Sequence, residues 1–179
     1  RDIARTGLHT AEAVLITTVI TDGLKLAAGR ERPSLSPDDP NAFHLLGGLR
    51  GNSHRSFPSG HASGAFAVAA AVTAEVGYSV RGSRTFVAPL LFGAAGVVGL
   101  SRIYDNQHWA SDVIVGAAIG TLVGYKVSRY THQHPANTLD ALLLGREEGD
   151  RSAAAASTRR PARGVLDGGI PITISIPAP

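Results

Sequence analysis

Residues 60–77 have the sequence GHASGAFAVAAAVTAEVG, an apolar run of alanine and valine in which Glu75 is the only acidic residue. The apolar residues do not alternate with period two, and the run is too long for an ordinary strand, so it predicts a helix. Pro58 and Ser59 come directly before it, and serine is a residue type that caps helix N-termini. We therefore expect a helix that begins after Ser59.

Three further segments share this pattern, at residues 10–29, 85–104 and 109–130. Each is long, apolar and rich in small residues, which let neighbouring helices approach closely. Thr10 is predicted to cap the first of them. The sequence therefore predicts an all-α fold, a helical bundle with four main helices.

Composition limits the possible partners. The chain has 179 residues, 44% of them hydrophobic and only 6% aromatic, with a net charge of +3 and no cysteine. Without cysteine, disulfides and thiolate metal sites are excluded. The small positive charge favours anionic partners only weakly, and no interleaved aromatic and basic pattern indicates a nucleic-acid partner.

The chain is predicted to divide near residue 145. Residues 1–145 are expected to form the helical domain, and residues 146–179 a low-complexity linker and a mostly irregular C-terminal tail. The last stretch, GIPITISIPAP at 169–179, alternates as an edge strand would, but a tail ordered only in a particular context fits it as well.

Three polar clusters come at the ends of these helices: KLAAGRERP at 25–33, PSGH at 58–61 and SRIYDNQHWASD at 101–112. The first and third helices run towards the end of the bundle from which the second and fourth depart. An up-and-down bundle would therefore gather all three clusters at one pole.

The clusters contain what a phosphoryl group would require. Lys25, Arg32 and Arg102 supply positive charge and N–H donors for its non-bridging oxygens. Free backbone N–H groups at the turn 59–61, aided by the helix dipole, add further donors. Taken singly, these features are more often a solvated lysine, a helix cap and a turn, so only their combination favours a binding site.

Two histidines and an aspartate complete the pattern. His108 and Asp112 are four residues apart and would share a face of the fourth helix, which His108 opens. A carboxylate there can hold one imidazole nitrogen protonated and leave the other as a nucleophile, although a surface hydrogen bond would have the same spacing. His61, on the facing helix, is the natural general acid for the leaving group.

The combined pattern resembles the three-part motif of the type 2 phosphatidic acid phosphatases, whose superfamily also contains bacterial class A acid phosphatases and vanadium-dependent haloperoxidases. The motif positions, all filled at the expected spacing, are Lys25, Arg32, Pro33, then Pro58, Ser59, Gly60, His61, then Ser101, Arg102, His108 and Asp112. They span residues 25–112, within a bundle expected over about 10–130.

The resemblance implies metal-independent hydrolysis of a phosphomonoester through a phosphohistidine on His108. It implies that Asp112 orients His108 and that His61 protonates the leaving oxygen. The phosphate-binding residues that it implies are Lys25, Arg32, Ser59, Gly60 and Arg102. It places the active sites of membrane members on the extracytoplasmic side, so we expect a periplasmic protein, soluble or membrane-associated. Those members typically have six spanning helices, against four main ones here.

Several functions fit the motif. The first is a phosphatase for a lipid phosphate or pyrophosphate at a membrane surface, and the second is a broad-specificity periplasmic acid phosphatase. The third is a vanadate-dependent haloperoxidase, although haloperoxidases of this superfamily are generally much larger. A binding module that has lost catalysis would be expected to lack His61 or His108, and both are present.

No cofactor and no metal are expected. The histidines outside the motif are scattered along the sequence, and no nearby carboxylate has the spacing of a ligand set; they are His9, His44, His54, His132 and His134.

The sequence favours a soluble or peripheral protein slightly over a membrane-inserted one. The longest uninterrupted apolar stretch, residues 86–100, is shorter than the roughly 18–20 residues that span a bilayer. Arginines occur towards both ends of the bundle, so the positive-inside rule does not decide the matter. The long loop 34–57 is the candidate lid, and four of its apolar residues could contact a lipid chain or form a small satellite core: Phe43, Leu45, Leu46 and Leu49.

Overall fold

The computed structural model describes residues 2–80 and 82–134, and it contains four α-helices in that part of the chain. They are α1 (Asp2–Ala28), α2 (Gly60–Ser79), α3 (Arg84–Tyr104) and α4 (Ala110–Gln133). The all-α prediction is confirmed. The predicted domain boundary near residue 145, the linker and the candidate edge strand lie outside the described residues.

The central helix of the bundle is α2, which contacts α1, α3 and α4. Its contact with α4 is unusually close, because glycines recur every fourth residue on α4 at Gly116, Gly120 and Gly124. A Cβ atom built on Gly120 would lie only 2.0 Å from the Ser63 carbonyl oxygen of α2. Small residues at such a contact allow the two backbones to touch. This close approach also brings the N-terminal ends of α2 and α4 together.

We expect Gly120→Ala to destabilise the fold by about 1–3 kcal/mol or more, because the added methyl group would meet backbone atoms of α2 that can move only if the helices separate. Gly23→Ala on α1 is the matched control. A Cβ there has no atom within 4 Å, so better helix propensity should leave stability unchanged or raise it by up to about 1 kcal/mol. Thermal unfolding of the two variants compares them directly, and equal stability would argue against close α2–α4 contact.

The helix starts were predicted with mixed success. Helix α2 begins after Ser59, as expected, and the Ser59 hydroxyl accepts a hydrogen bond from the Ala62 backbone N–H at 3.4 Å. The predicted cap at Thr10 is wrong, because α1 begins at Asp2 and Thr10 lies inside the helix. Residues 2–9 contain no proline, and His9 is buried in the bundle, so tertiary contacts extend the helix beyond its apolar run.

The start of α4 also differs from the prediction. The helix begins at Ala110 with Trp109 as its N-cap residue, so His108 precedes the helix rather than opening it. The Asp112 carboxylate accepts a hydrogen bond from the Trp109 backbone N–H at 2.9 Å. Asp112 is therefore part of the cap of its own helix.

Two helices in the described part of the chain, α3 and α4, are long and apolar enough to cross a membrane by length and composition. Most of the apolar part of α3 faces outward, since only 11% of it is buried. Its large exposed side chains include Phe86, Leu90, Leu100 and Tyr104. These outward faces do not support the slight preference for a soluble protein that the sequence suggested.

Candidate active site

The three polar clusters meet at the pole where α1 and α3 end and α2 begins. A Cβ atom built on Gly60 would lie 3.5 Å from the Lys25 ammonium nitrogen, so the end of α1 lies over the start of α2. The positive charges of Arg102, Lys25 and Arg32 all act on the His61 ring. The structure thus brings the predicted phosphate-binding and catalytic residues to one place.

Two of the cations have their side chains positioned by polar groups of the loop 34–57 and of the turn between α3 and α4. The Arg32 guanidinium donates to the Gln107 side-chain oxygen at 2.6 Å and to the Asn52 side-chain oxygen at 3.1 Å. The Lys25 ammonium donates to the Arg55 carbonyl oxygen at 3.4 Å. Burial, followed by the nearby charge of Arg32, lowers the pKa of Lys25. An anion between these cations would oppose that shift, as expected for an oxyanion site.

The start of α2 adds backbone donors. The Ser59 N–H donates to the Asp112 backbone carbonyl at 3.0 Å, and the Ser63 N–H donates to the Ser59 carbonyl at 3.0 Å. Between them, the N–H groups of Gly60 and His61 have no acceptor among the described residues. Free N–H groups at a helix N-terminus, together with the helix dipole, favour a bound anion.

His108 is buried and its tautomer is set by a backbone carbonyl. Its Nδ1 atom lies 2.7 Å from the Ser56 carbonyl oxygen. A carbonyl oxygen only accepts, so Nδ1 must carry the hydrogen. The neutral ring then has its lone pair on Nε2, which is the nitrogen available as a nucleophile.

Asp112 does not make the direct hydrogen bond to His108 that the four-residue spacing suggested. Its carboxylate oxygen lies 3.8 Å from His108 Nδ1, because His108 precedes the helix and does not share a helical face with Asp112. The buried carboxylate instead accepts from the Ser56 hydroxyl at 2.6 Å and from Arg30. Ser56 therefore links the two residues, through its hydroxyl to Asp112 and through its carbonyl to His108.

His61 lies in the first turn of α2, at the exposed mouth of the site. Partial burial of the ring, then the charge of Arg102 and the further charges of Lys25 and Arg32, lower the pKa of His61 from its ordinary value of 6.5. Arg102, at the end of α3, donates to the Asp105 carboxylate at 2.6 Å. That contact positions the guanidinium beside the pole without burying it.

Arg30 is a central residue that the sequence analysis left without a role. It is only 5% exposed, and it pairs with Asp112 and donates to the Ser111 hydroxyl at 2.8 Å. Its guanidinium carbon also lies 4.9 Å from the centre of the Phe43 ring of the loop. The motif selects Arg32, which is followed by Pro33, but nothing local shows that Arg30 pairs with Asp112.

The histidines outside the motif are not all scattered in space. His9, Glu75 and His132 come together at the opposite pole, where α1 begins and α2 and α4 end. The expectation that these histidines are scattered, with no carboxylate placed as in a ligand set, is wrong for this group. No local spacing could have shown it, because the three residues belong to three different helices.

Together, the fold and the site define a class of protein: a helical bundle with a pole rich in cations and free N–H groups, next to a buried histidine of fixed tautomer. The chain belongs to the PAP2 superfamily, whose family model matches residues 6–136. The family predicted from the motif is therefore confirmed.

Named relatives include proteins from a plant and a bacterium. The chain is 37% identical over 144 residues to Lipid phosphate phosphatase 1 of Arabidopsis thaliana, covering 69% of this chain and 43% of that protein. It is 35% identical over 129 residues to Lipid A 1-phosphatase of Porphyromonas gingivalis, covering 60% of this chain and 27% of that protein. The chain thus spans less than half the length of either relative. No solved structure is significantly similar to it.

Proposed function

We propose that this chain carries the catalytic site of a phosphatase that hydrolyses a lipid phosphate through a phosphohistidine intermediate. The observation that carries the proposal is the tautomer of His108, whose Nδ1 hydrogen is held by the Ser56 carbonyl beside a pole rich in N–H donors. The relatives named as lipid phosphatases support the substrate class.

The first half of the reaction forms a phosphorus–nitrogen bond. The cations Lys25, Arg32 and Arg102, with the N–H groups of Gly60 and His61, hold the non-bridging oxygens and stabilise charge in the transition state. His108 Nε2 attacks phosphorus while the bond from phosphorus to the leaving oxygen breaks. His61 gives its proton to that oxygen, so the alcohol leaves neutral.

The second half restores the enzyme with water. His61, now neutral, takes a proton from a water molecule that attacks the phosphohistidine. The phosphorus–nitrogen bond breaks, and inorganic phosphate and free His108 are released. Asp112 acts through Ser56 in both halves, because it holds the residue whose carbonyl fixes the His108 ring.

A lipid substrate is supported by exposed apolar side chains of the loop 34–57 and of two helices. The loop residues Leu45, Leu46 and Leu49 are 86%, 57% and 67% exposed, and so are available to an acyl or prenyl chain. Outward apolar faces on α3 and α4 support association with a membrane. The extracytoplasmic location implied by the resemblance stays a prediction.

Substrate profiling tests the proposal. We expect turnover of phosphatidate in mixed micelles to exceed turnover of a water-soluble aryl phosphate, with no oxidation of bromide by peroxide and vanadate. Leu45→Gln should weaken only the micellar reaction, whereas Ile3→Gln, an equally exposed change near the start of α1, should alter neither. Higher activity on the soluble ester with no effect of Leu45→Gln would favour the broad-specificity acid phosphatase.

The lowered pKa of His61 predicts the pH dependence of the reaction. A general acid must hold its proton in the free enzyme, so kcat/KM for an alkyl phosphate should fall as pH rises through a pKa below 6.5. A bound phosphate dianion favours the protonated ring, so the corresponding limb in kcat should lie at higher pH. Steady-state pH profiles measure both limbs. If the fall in kcat/KM with rising pH persists in His61→Ala, the group that titrates is not His61.

A further inference from the structure

The three-residue cluster at the pole opposite the candidate active site joins three helices through two imidazoles and one carboxylate. His9 Nδ1 on α1 lies 3.0 Å from one carboxylate oxygen of Glu75 on α2, and His132 Nε2 on α4 lies 3.0 Å from the other. All three donor atoms lie within 4.8 Å of one another. His9 and Glu75 are 2% and 3% exposed, whereas the His132 side chain is 33% exposed.

We propose that His9, Glu75 and His132 bind a divalent transition-metal ion of the zinc class. Two imidazoles and a carboxylate are a donor set that such ions prefer. Ligand distances of about 2.0–2.2 Å put neighbouring donors of a tetrahedral site roughly 3.3–3.5 Å apart. The observed separations of 3.0 Å are close to this spacing, so small side-chain shifts would admit the ion.

The surroundings of the cluster favour a cation. Glu75 lies just before the last turn of α2 and His132 lies in the last turn of α4, where helix dipoles favour positive charge. A buried carboxylate at such a place must be hydrogen-bonded or paired with a cation, and an ion bound by the two imidazoles would supply the positive charge. The Tyr78 ring, whose centre lies 3.9 Å from that of the His132 ring, holds that imidazole in place. Thr131 Oγ1, 3.2 Å from His9 Nδ1, would give up this contact when Nδ1 binds the ion.

The ion would have a structural role. It would link the start of α1 to the ends of α2 and α4, far from the pole that holds His108. The exposed edge of His132 leaves a fourth position for water. Chelation should therefore lower the melting temperature without abolishing phosphoester hydrolysis at 25 °C, because the proposed hydrolysis requires no metal.

Metal binding by the full chain, purified without a histidine tag and stripped with a chelator, tests the proposal. We expect calorimetry to give one zinc ion per chain, and a hundredfold excess of free zinc over its Kd to raise Tm by about 5–10 °C. Cobalt in place of zinc should give the intense visible absorption of a tetrahedral site. Both signals should disappear in His132→Gln and in Glu75→Gln.

His134→Gln is the matched control, because it removes an exposed histidine two residues from His132 that bonds the Tyr130 carbonyl and lies outside the cluster. This variant should keep both the stoichiometry and the cobalt spectrum. The proposal is wrong if the chain binds no zinc, or if His132→Gln retains the same Tm rise and cobalt absorption. The cluster would then be a hydrogen-bonded contact between helices.

Discussion

Replacing His108 by alanine is expected to lower turnover of every phosphoester by about 10⁴-fold or more, because the attacking nitrogen is lost and no covalent intermediate can form. The loss should be the same for lipid, alkyl and aryl phosphates, since each requires the same nucleophile. Measuring kcat on the three substrates tests this. Circular dichroism should show that the variant keeps its helices.

His61→Ala is the contrasting variant, because a general acid matters in proportion to the basicity of the leaving group. Its loss should be about 10²–10⁴-fold for a lipid or alkyl ester and much smaller for an activated aryl ester, whose phenolate leaves with little proton donation. Equal losses in both histidine variants on every substrate would contradict the roles assigned to His61 and His108.

The second large effect concerns stability. Arg30→Met should destabilise the protein by about 3–5 kcal/mol, because it leaves the buried Asp112 carboxylate without the guanidinium that pairs with it. Chemical denaturation measures the difference. Activity should also fall, because Asp112 and Ser56 together position His108.

Arg50→Met is the control for the loss of one arginine from the segment that connects α1 and α2. Arg50 is exposed, so its replacement should change stability by no more than about 0.5 kcal/mol. The double variant Arg30→Met, Asp112→Asn should be less destabilised than the sum of the two single variants, because it removes both charges. Additive losses would show that Arg30 and Asp112 do not stabilise each other.

The sequence predicted the bundle and the meeting of the three polar clusters at one pole, because both follow from local patterns. Long apolar runs predicted α2 and α3 to within about two residues, and the spacing of Lys25, His61 and Arg102 relative to helix ends placed them at one pole. The start of α1 was missed because burial of His9, rather than an apolar period, extends that helix to Asp2.

The connections within the site could not be predicted because they join distant parts of the chain. Ser56 comes between Asp112 and His108 only because the loop before α2 packs against the start of α4. Arg30 pairs with a carboxylate far along the sequence, and spacing gives no sign of it. The prediction that His108 opens α4 implied a direct hydrogen bond to Asp112, but His108 precedes the helix and the two side chains lie 3.8 Å apart.

Rapid-quench labelling is the most direct test of the central claim that His108 carries the phosphoryl group. Mixing the enzyme with a ³²P-labelled phosphoester and quenching in alkali should trap an acid-labile phosphoenzyme, and peptide mapping should place the label on His108. The label should be absent from His108→Ala. A wild-type enzyme that turns over without any trapped label, or whose label lies on another residue, would contradict the account.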